Sequence, residues 1–182
     1  MNQLSLHQPH AIIMVGIPGS GKTFFASKFS ETFGAPHLDL QAISKYAASP
    51  EAAGQLAYMY LTELLKTRQS LVLELSTETR ANRTEVARVV RDAGYAPLFV
   101  WTQVDQATAK SRTRKSKLLS PDEFDALVKR FSPPHEREHA VVISGKHTYA
   151  SQAKIVLKHL TARRSEMAKD SSGARRGRIN VQ

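Results

Sequence analysis

The sequence predicts an α/β fold in which five parallel strands form one sheet with helices on both faces. Short, nearly continuous apolar segments alternate with longer segments whose apolar residues recur at helical spacing. Strands of this kind are typical of parallel sheets that are buried on both sides. Strand–helix alternation in turn predicts right-handed βαβ units. The length of 182 residues suits one domain of ordinary size with a substantial core.

The predicted strands are short apolar segments, each followed by a polar turn or a helix start. The third of them carries an acid, Glu74, which calls for a specific role because an unpaired acid among apolar residues is costly. The five strands cover residues 11–15, 37–40, 71–75, 97–101 and 140–143.

Capping residues and prolines mark where the helices begin. One helix continues from the segment after the first strand, a second starts near Gln41, and a polar segment over residues 76–82 leads into another that carries Val86. The remaining helices follow Ser49 with Pro50 at the first helical position, Asp105, Ser120 spaced with Glu123 as a capping box, and Thr148.

The segment between the first strand and the first helix, residues 16–23, reads GIPGSGKT and matches the phosphate-binding loop G-x-x-x-x-G-K-[ST], or P-loop. Its glycines permit backbone angles that a side chain forbids, so the amide groups can form a concave nest for phosphate oxygens. The N-terminus of the next helix adds unpaired N–H groups and a partial positive charge.

Two side chains of the P-loop extend this prediction to a nucleoside triphosphate with its metal. Lys22 can reach the β- and γ-phosphates, and the hydroxyl of Thr23 can bind Mg²⁺. We therefore expect ATP to be bound by the loop and the first helical residues, namely Gly16, Pro18, Gly19, Ser20, Gly21, Lys22, Thr23 and Phe24.

Composition narrows the classes of function. The formal net charge of +10 favours polyanionic partners, which include nucleotides, nucleic acid and acidic surfaces. The chain has no cysteine, which excludes disulfides, thiolate metal sites and a cysteine nucleophile. The N-terminal residues lack an apolar signal core, and no apolar run is long enough to span a bilayer, so we expect no membrane and a cytoplasmic location.

Ligands of open parallel sheets bind at the carboxyl ends of the strands. That rule predicts one cleft formed by the P-loop, Asp39, Glu74 and the loop over residues 144–147.

These features resemble the polynucleotide kinase-like P-loop kinases, whose plan is shared by zeta-toxin-type and small-metabolite kinases with an AAA-type ATP-binding domain. The resemblance covers residues 11–160 and rests on the P-loop, Asp39, the acid Glu74 and an arginine-bearing helix before the fifth strand. It implies a P-loop NTPase fold with a helical lid, ATP and Mg²⁺ as cofactors, and phosphate transfer to a hydroxyl.

The resemblance also implies roles for four residues outside the P-loop, and the residues themselves leave alternatives open. Asp39 would be the general base, or would cap the helix that follows it. Glu74 would support Mg²⁺ together with Thr23, or would be a strand-end acid facing solvent. Arg112 would be a lid arginine on the transferred phosphate, or one member of a solvated basic run. Lys146 would lie in the loop that holds the adenine.

Three positions depart from the polynucleotide kinase pattern. Ala42 stands where the pattern has an arginine that holds the acceptor phosphate. The third strand ends in Glu74-Leu75-Ser76, where the pattern has D-x-N. Ser116 stands where the pattern has a second lid arginine. The acceptor therefore stays open between a nucleic-acid end or nucleotide, which the basic charge favours, and a small polar metabolite. A catalytically weakened ATP-binding module that binds nucleic acid or a partner is the third hypothesis.

The pattern fades from Thr161, where basic residues outnumber acidic ones and Ser171, Ser172 and Gly173 follow. We predict a P-loop kinase-like ATP-binding domain over residues 1–160 and a basic tail, disordered or extended, over residues 161–182. The sequence contains nothing that sets an oligomeric state.

Overall fold

A computed structural model describes residues 8–117 and 119–174 of the chain. Five strands form a single sheet in the order β2-β3-β1-β4-β5, and each neighbouring pair is parallel. The strands are β1 (His10–Val15), β2 (His37–Asp39), β3 (Leu71–Glu74), β4 (Ala96–Gln103) and β5 (Val141–Ser144). The predicted fold class is therefore confirmed.

Helices connect the strands and cover both faces of the sheet. They are α1 (Lys22–Phe33), α2 (Leu40–Ser44), α3 (Pro50–Lys66), α4 (Arg80–Asp92), α5 (Gln106–Ser116), α6 (Pro121–Arg130) and α7 (Tyr149–Ala174), with a 3₁₀ turn at Glu136–Glu138 between α6 and β5. The predicted caps are present, since Ser49 and Asp105 accept hydrogen bonds from the first turns of α3 and α5, and Ser120 forms its capping box with Glu123.

The alternation of side chains along the buried strands divides the core into two halves. Ile13 of β1 belongs to a cluster with Leu61 of α3 and Val90 of α4. Its neighbour Ile12 belongs to a second cluster with Phe29 of α1, to which α7 also contributes. The sheet is thus enclosed between two helical layers, and its carboxyl ends meet at one edge of the molecule.

The last helix crosses the predicted boundary between domain and tail. α7 continues to Ala174, so the boundary at residue 160 lies inside a helix. Residues 175–182 lie outside the described residues, and the division of the chain stays a prediction. None of the described helices has both the length and the hydrophobicity that crossing a membrane requires.

A buried arginine connects the loop after β3 with the segment after α6. The side chain of Arg83 is fully buried. Its Nε and Nη2 donate to the two carboxylate oxygens of Glu138 at 2.7 and 3.1 Å. Nη1 donates to the carbonyl groups of Thr77 at 3.0 Å and Ser132 at 2.9 Å. Arg83 therefore connects three segments by donating to one carboxylate and two carbonyl groups in the protein interior.

We predict that Arg83→Ala lowers the free energy of unfolding by about 3 kcal/mol or more, because it removes the cationic partner of the Glu138 carboxylate and the shared donor of two carbonyl groups. Arg88→Ala is the matched control on the same helix. Its ion pairs with Glu85 and Asp92 are exposed, so its loss is expected to stay below about 1 kcal/mol. Urea denaturation of both variants tests this, and equal losses would contradict it.

Candidate active site

The P-loop backbone has a conformation and surroundings that require glycine. Gly16, Gly19 and Gly21 have φ angles of 147°, 74° and 104°, all in the region that side chains disfavour. A Cβ atom at Gly16 would lie 2.7 Å from the carbonyl oxygen of Thr102, and one at Gly19 would overlap the carbonyl oxygen of Ala109. Segments from β4 and α5 therefore lie directly against the loop.

Lys22, at the start of α1, lies across the inside of the loop. Its Nζ donates to the carbonyl groups of Gly16 at 2.9 Å and Ile17 at 3.1 Å. Burial lowers the pKa of Lys22, while the carboxylates of Glu74, Glu78 and Asp39 oppose that shift. The ammonium group is thus held at the place where loop amides and the helix N-terminus would meet a phosphate.

Glu74 bridges the P-loop and strand β2. Its Oε2 accepts a hydrogen bond of 2.8 Å from Thr23 Oγ1, and its Oε1 lies 2.9 Å from Nε2 of His37. Glu74 is only 7% exposed, so it is not a strand-end acid facing solvent. The sequence analysis missed His37, although it lies two residues before Asp39 on the same strand and therefore on the same face.

The pair formed by Thr23 and Glu74 has the donor atoms that Mg²⁺ prefers, one hydroxyl and one carboxylate oxygen. In the described part of the chain, no group of three or more His, Cys, Asp or Glu residues could hold a metal ion. The Thr23 hydroxyl and the Glu74 carboxylate could hold a magnesium ion that takes its other ligands from phosphate oxygens and water.

Asp39 is the N-cap of α2, which bears out the capping alternative. Its Oδ1 accepts from the amides of Gln41 at 2.8 Å and Ala42 at 3.2 Å. Both bonds use the same oxygen, and Oδ2 has no hydrogen-bond partner among residues 8–117 and 119–174. A cap that uses one oxygen leaves the other available, so capping and general-base catalysis are compatible here.

Arg112 of α5 reaches back over the P-loop. Its Nη1 donates to the carbonyl oxygen of Gly145 at 3.1 Å and lies 3.5 Å from that of Gly19. The other basic residues of the run 110–117 do not line the site in the described structure. The structure therefore separates Arg112 from its solvated neighbours, which the sequence did not.

The loop between β5 and α7 packs on the P-loop through Gly145. The amide of Gly145 donates to the carbonyl oxygen of Gln103 at 2.7 Å, and a Cβ at Gly145 would overlap the carbonyl oxygen of Ser20. Lys146, the next residue, forms an ion pair of 2.6 Å with Asp105. This pair, with the amide and hydroxyl of Thr108, holds the pKa of Asp105 well below its usual range.

These residues line one open groove with a volume of about 850 Å³ along the carboxyl ends of the strands. It contains most of the residues predicted from the sequence, namely Pro18, Gly19, Gly21, Lys22, Thr23, Phe24, Asp39, Glu74, Arg112 and Lys146. Gly16 and Ser20 form the floor of the P-loop instead, and Ser20 is fully buried. The four elements that the sequence assigned to one cleft are thus together.

Comparison with known proteins identifies the family to which most of the chain is similar. Residues 12–134, more than half of the chain, match a family model described as an AAA domain. No curated protein sequence matches the chain.

Solved structures of two kinases and of Kti12 share the fold. A gluconokinase from Sinorhizobium meliloti 1021 is 17% identical, with a TM-score of 0.65 over 90% of this chain and 98% of the kinase. The APS kinase CysC of Mycobacterium tuberculosis, in complex with AMPPNP and APS, is 14% identical, with a TM-score of 0.68 over 85% and 98%. Chaetomium thermophilum Kti12, in complex with ADP-AlF3, is 14% identical, with a TM-score of 0.67 over 84% and 98%. The protein thus has a P-loop kinase-like ATP-binding fold.

We predict that Gly145→Ala weakens ATP binding by about tenfold or more, because the added methyl group would displace the backbone of Ser20 in the P-loop. Gly54→Ala is the control. Among the described residues, no atom outside the local backbone of α3 lies within 4 Å of a Cβ at Gly54, so this change should raise stability by about 0.5–1 kcal/mol and leave ATP binding unchanged. Calorimetric titration measures the ATP affinity of both variants. An unaltered affinity in Gly145→Ala would contradict the prediction.

Proposed function

Because the chain belongs to the AAA domain family, we propose that it is an ATP- and magnesium-dependent P-loop kinase that transfers the γ-phosphate of ATP to a hydroxyl group. The observation that carries this proposal is the pair Thr23–Glu74 beside the P-loop, with Asp39 in the same groove. The pair supplies donor atoms for a metal, the loop supplies amides for phosphates, and Asp39 supplies a carboxylate on the acceptor side.

In the proposed complex, the amides of the P-loop and of the first residues of α1 surround the β- and γ-phosphates. Lys22 exchanges its two loop carbonyl partners for phosphate oxygens. Arg112 lies at the same loop and offers a planar guanidinium to the transferred phosphate, where negative charge develops. Lys146 lies in the loop that we assign to the adenine side.

Thr23 and Glu74 would hold Mg²⁺, and His37 would fix the orientation of the Glu74 carboxylate. When bound, the ion neutralises charge on the transferring phosphate. The residues of the chain hold the nucleotide and the acceptor in position, because phosphoryl transfer depends mainly on position and electrostatics.

The proposed step begins with the acceptor hydroxyl next to Oδ2 of Asp39. The acceptor oxygen forms a bond to the γ-phosphorus while the bond from that phosphorus to the β–γ bridging oxygen breaks. The electron pair leaves with ADP, and the hydroxyl proton passes to Asp39. Asp39 is suited to this role because its Oδ1 is fixed by the amides of α2.

The acceptor hypotheses from the sequence remain a nucleic-acid end or nucleotide and a small metabolite. The neighbouring gluconokinase and APS kinase carry small-molecule acceptors in their names, which favours the metabolite class. Kti12, whose name states no acceptor, shares the fold in complex with ADP-AlF3. ATP binding by this protein without transfer to any acceptor would favour the hypothesis of an ATP-binding module.

We predict that Asp39→Asn retains ATP binding and the α2 cap but lowers phosphate transfer by about 10²-fold or more. Asparagine caps a helix as well as aspartate does, and it cannot accept the acceptor proton. Transfer from radiolabelled ATP measures the loss, with Lys22→Ala as the variant expected to abolish turnover. Full transfer in Asp39→Asn would leave Asp39 with the capping role alone.

We predict that His37→Ala raises the Mg²⁺ concentration needed for half-maximal activity by about tenfold, since the Glu74 carboxylate loses one of its two hydrogen-bond partners. The affinity for metal-free ATP should change little. His159→Ala, an exposed position on α7, is the control. If both variants show the wild-type magnesium dependence, His37 has no part in orienting Glu74.

A further inference from the structure

The groove continues beyond the P-loop into a second half, which we call the acceptor end. Elements α2 and α3, the segment after β3, the end of α5 and helix α6 form it. Its lining residues are Asp39, Leu40, Gln41, Ser44, Pro50, Ala53, Leu75, Ser76, Glu78, Ser116, Leu119 and Leu127. We propose, resting on the kinase function above, that this end takes a small hydroxyl compound that carries no anionic group.

The first observation is where the positive charges lie. Among the described residues that line the groove, the lysines and arginines are Lys22, Arg112 and Lys146. Lys22 and Arg112 are hydrogen-bonded to carbonyl groups of the P-loop and of Gly145. Lys146 pairs with Asp105 on the far side of the P-loop. All three thus have their partners at the nucleotide side of the groove.

The second observation is the charge that the acceptor end does carry. Its ionisable side chains are Asp39 and Glu78, both carboxylates that are partly buried. Both act on the buried ammonium of Lys22, which places their charges near the reacting phosphate. The backbone of Glu78 is fixed, because its carbonyl oxygen accepts from the amide of Ser132 at 2.8 Å.

The remaining lining groups are neutral. Gln41, Ser44 and Ser116 provide amide and hydroxyl groups, while the leucines, Pro50 and Ala53 provide an apolar wall. Ser116 already donates to the carbonyl oxygen of Thr113 at 2.9 Å, so its oxygen is free to accept from a ligand. Such a wall suits the mixed polar and apolar faces of a sugar, an amino sugar or an amino alcohol.

The physical consequence is selection by charge. An acceptor phosphate or carboxylate would lose its hydration and meet two like charges, while Lys22 and Arg112 are engaged with the phosphates of ATP in the proposed complex. An uncharged hydroxyl compound avoids this cost, and an ammonium group on the acceptor would be attracted by Glu78. The net charge of +10 is therefore misleading about the acceptor, because the charges of this half of the groove are negative.

The test is a panel of matched acceptors with radiolabelled ATP, Mg²⁺ and the full chain. Each pair offers the same primary hydroxyl group with and without a carboxylate. The pairs are ribose and ribonate, glucose and gluconate, glucosamine and glucosaminate, and ethanolamine and serine. An oligonucleotide with a free 5′-hydroxyl is added as the polyanionic acceptor. We expect kcat/KM at least about tenfold higher for the member without the anion in every pair that reacts.

A charge variant tests whether Glu78 contributes. Glu78→Gln should raise the KM for glucosamine, a cationic acceptor, by about threefold or more relative to the KM for glucose, its uncharged analogue. Glu136→Gln makes the same charge change on an exposed residue outside the groove and should leave both KM values unaltered.

The outcomes separate this inference from the proposed kinase function. Transfer that favours the anionic members or the oligonucleotide overturns the inference and leaves the kinase function standing. ATP hydrolysis without transfer to any uncharged or cationic hydroxyl also overturns it. Absence of both ATP binding by calorimetry and ATP turnover would overturn the kinase function itself.

Discussion

The site depends on how closely other segments approach the backbone of the P-loop. Carbonyl groups of β4 and α5 occupy the space that side chains at Gly16 and Gly19 would need, and the loop after β5 touches Ser20 through Gly145. Because these contacts run through backbone atoms, α5 and the β5–α7 loop lie directly on the P-loop. Arg112 can reach the loop only because α5 is held at that distance.

The register of the sheet supplies the acids of the site. β2 and β3 are parallel neighbours in which Asp39 is paired with Glu74, so two carboxylates leave the same edge side by side. Each is constrained differently, Asp39 by the amides at the start of α2 and Glu74 by Thr23 and His37. That difference in partners suits one carboxylate to an acceptor hydroxyl and the other to a metal ion.

Charge in the groove is divided along its length, and this division matters more than the total. Lys22 and Arg112 lie against carbonyl groups of the P-loop, while Asp39 and Glu78 border the proposed acceptor. Where a bound ligand excludes part of the water, unlike charges strengthen binding at one end of the ligand and like charges weaken binding at the other end. A basic protein can therefore discriminate against anionic acceptors.

Local patterns determined the strands, the caps and the P-loop. The five strands, the capping box at Ser120 and the glycine spacing all depend on residues close together in the chain, and the structure has each of them. The gathering of the P-loop, Asp39 and Glu74 was also predictable, because the carboxyl ends of parallel strands meet at one edge.

Only the tertiary structure decided which partners those residues have. Three contacts join segments that are far apart in sequence: His37 with Glu74, Gly145 with Ser20, and Arg112 with Gly145. Each depends on sheet order and helix placement, which no periodicity within one segment records. For the same reason the net charge of +10 does not indicate that the proposed acceptor end carries carboxylates.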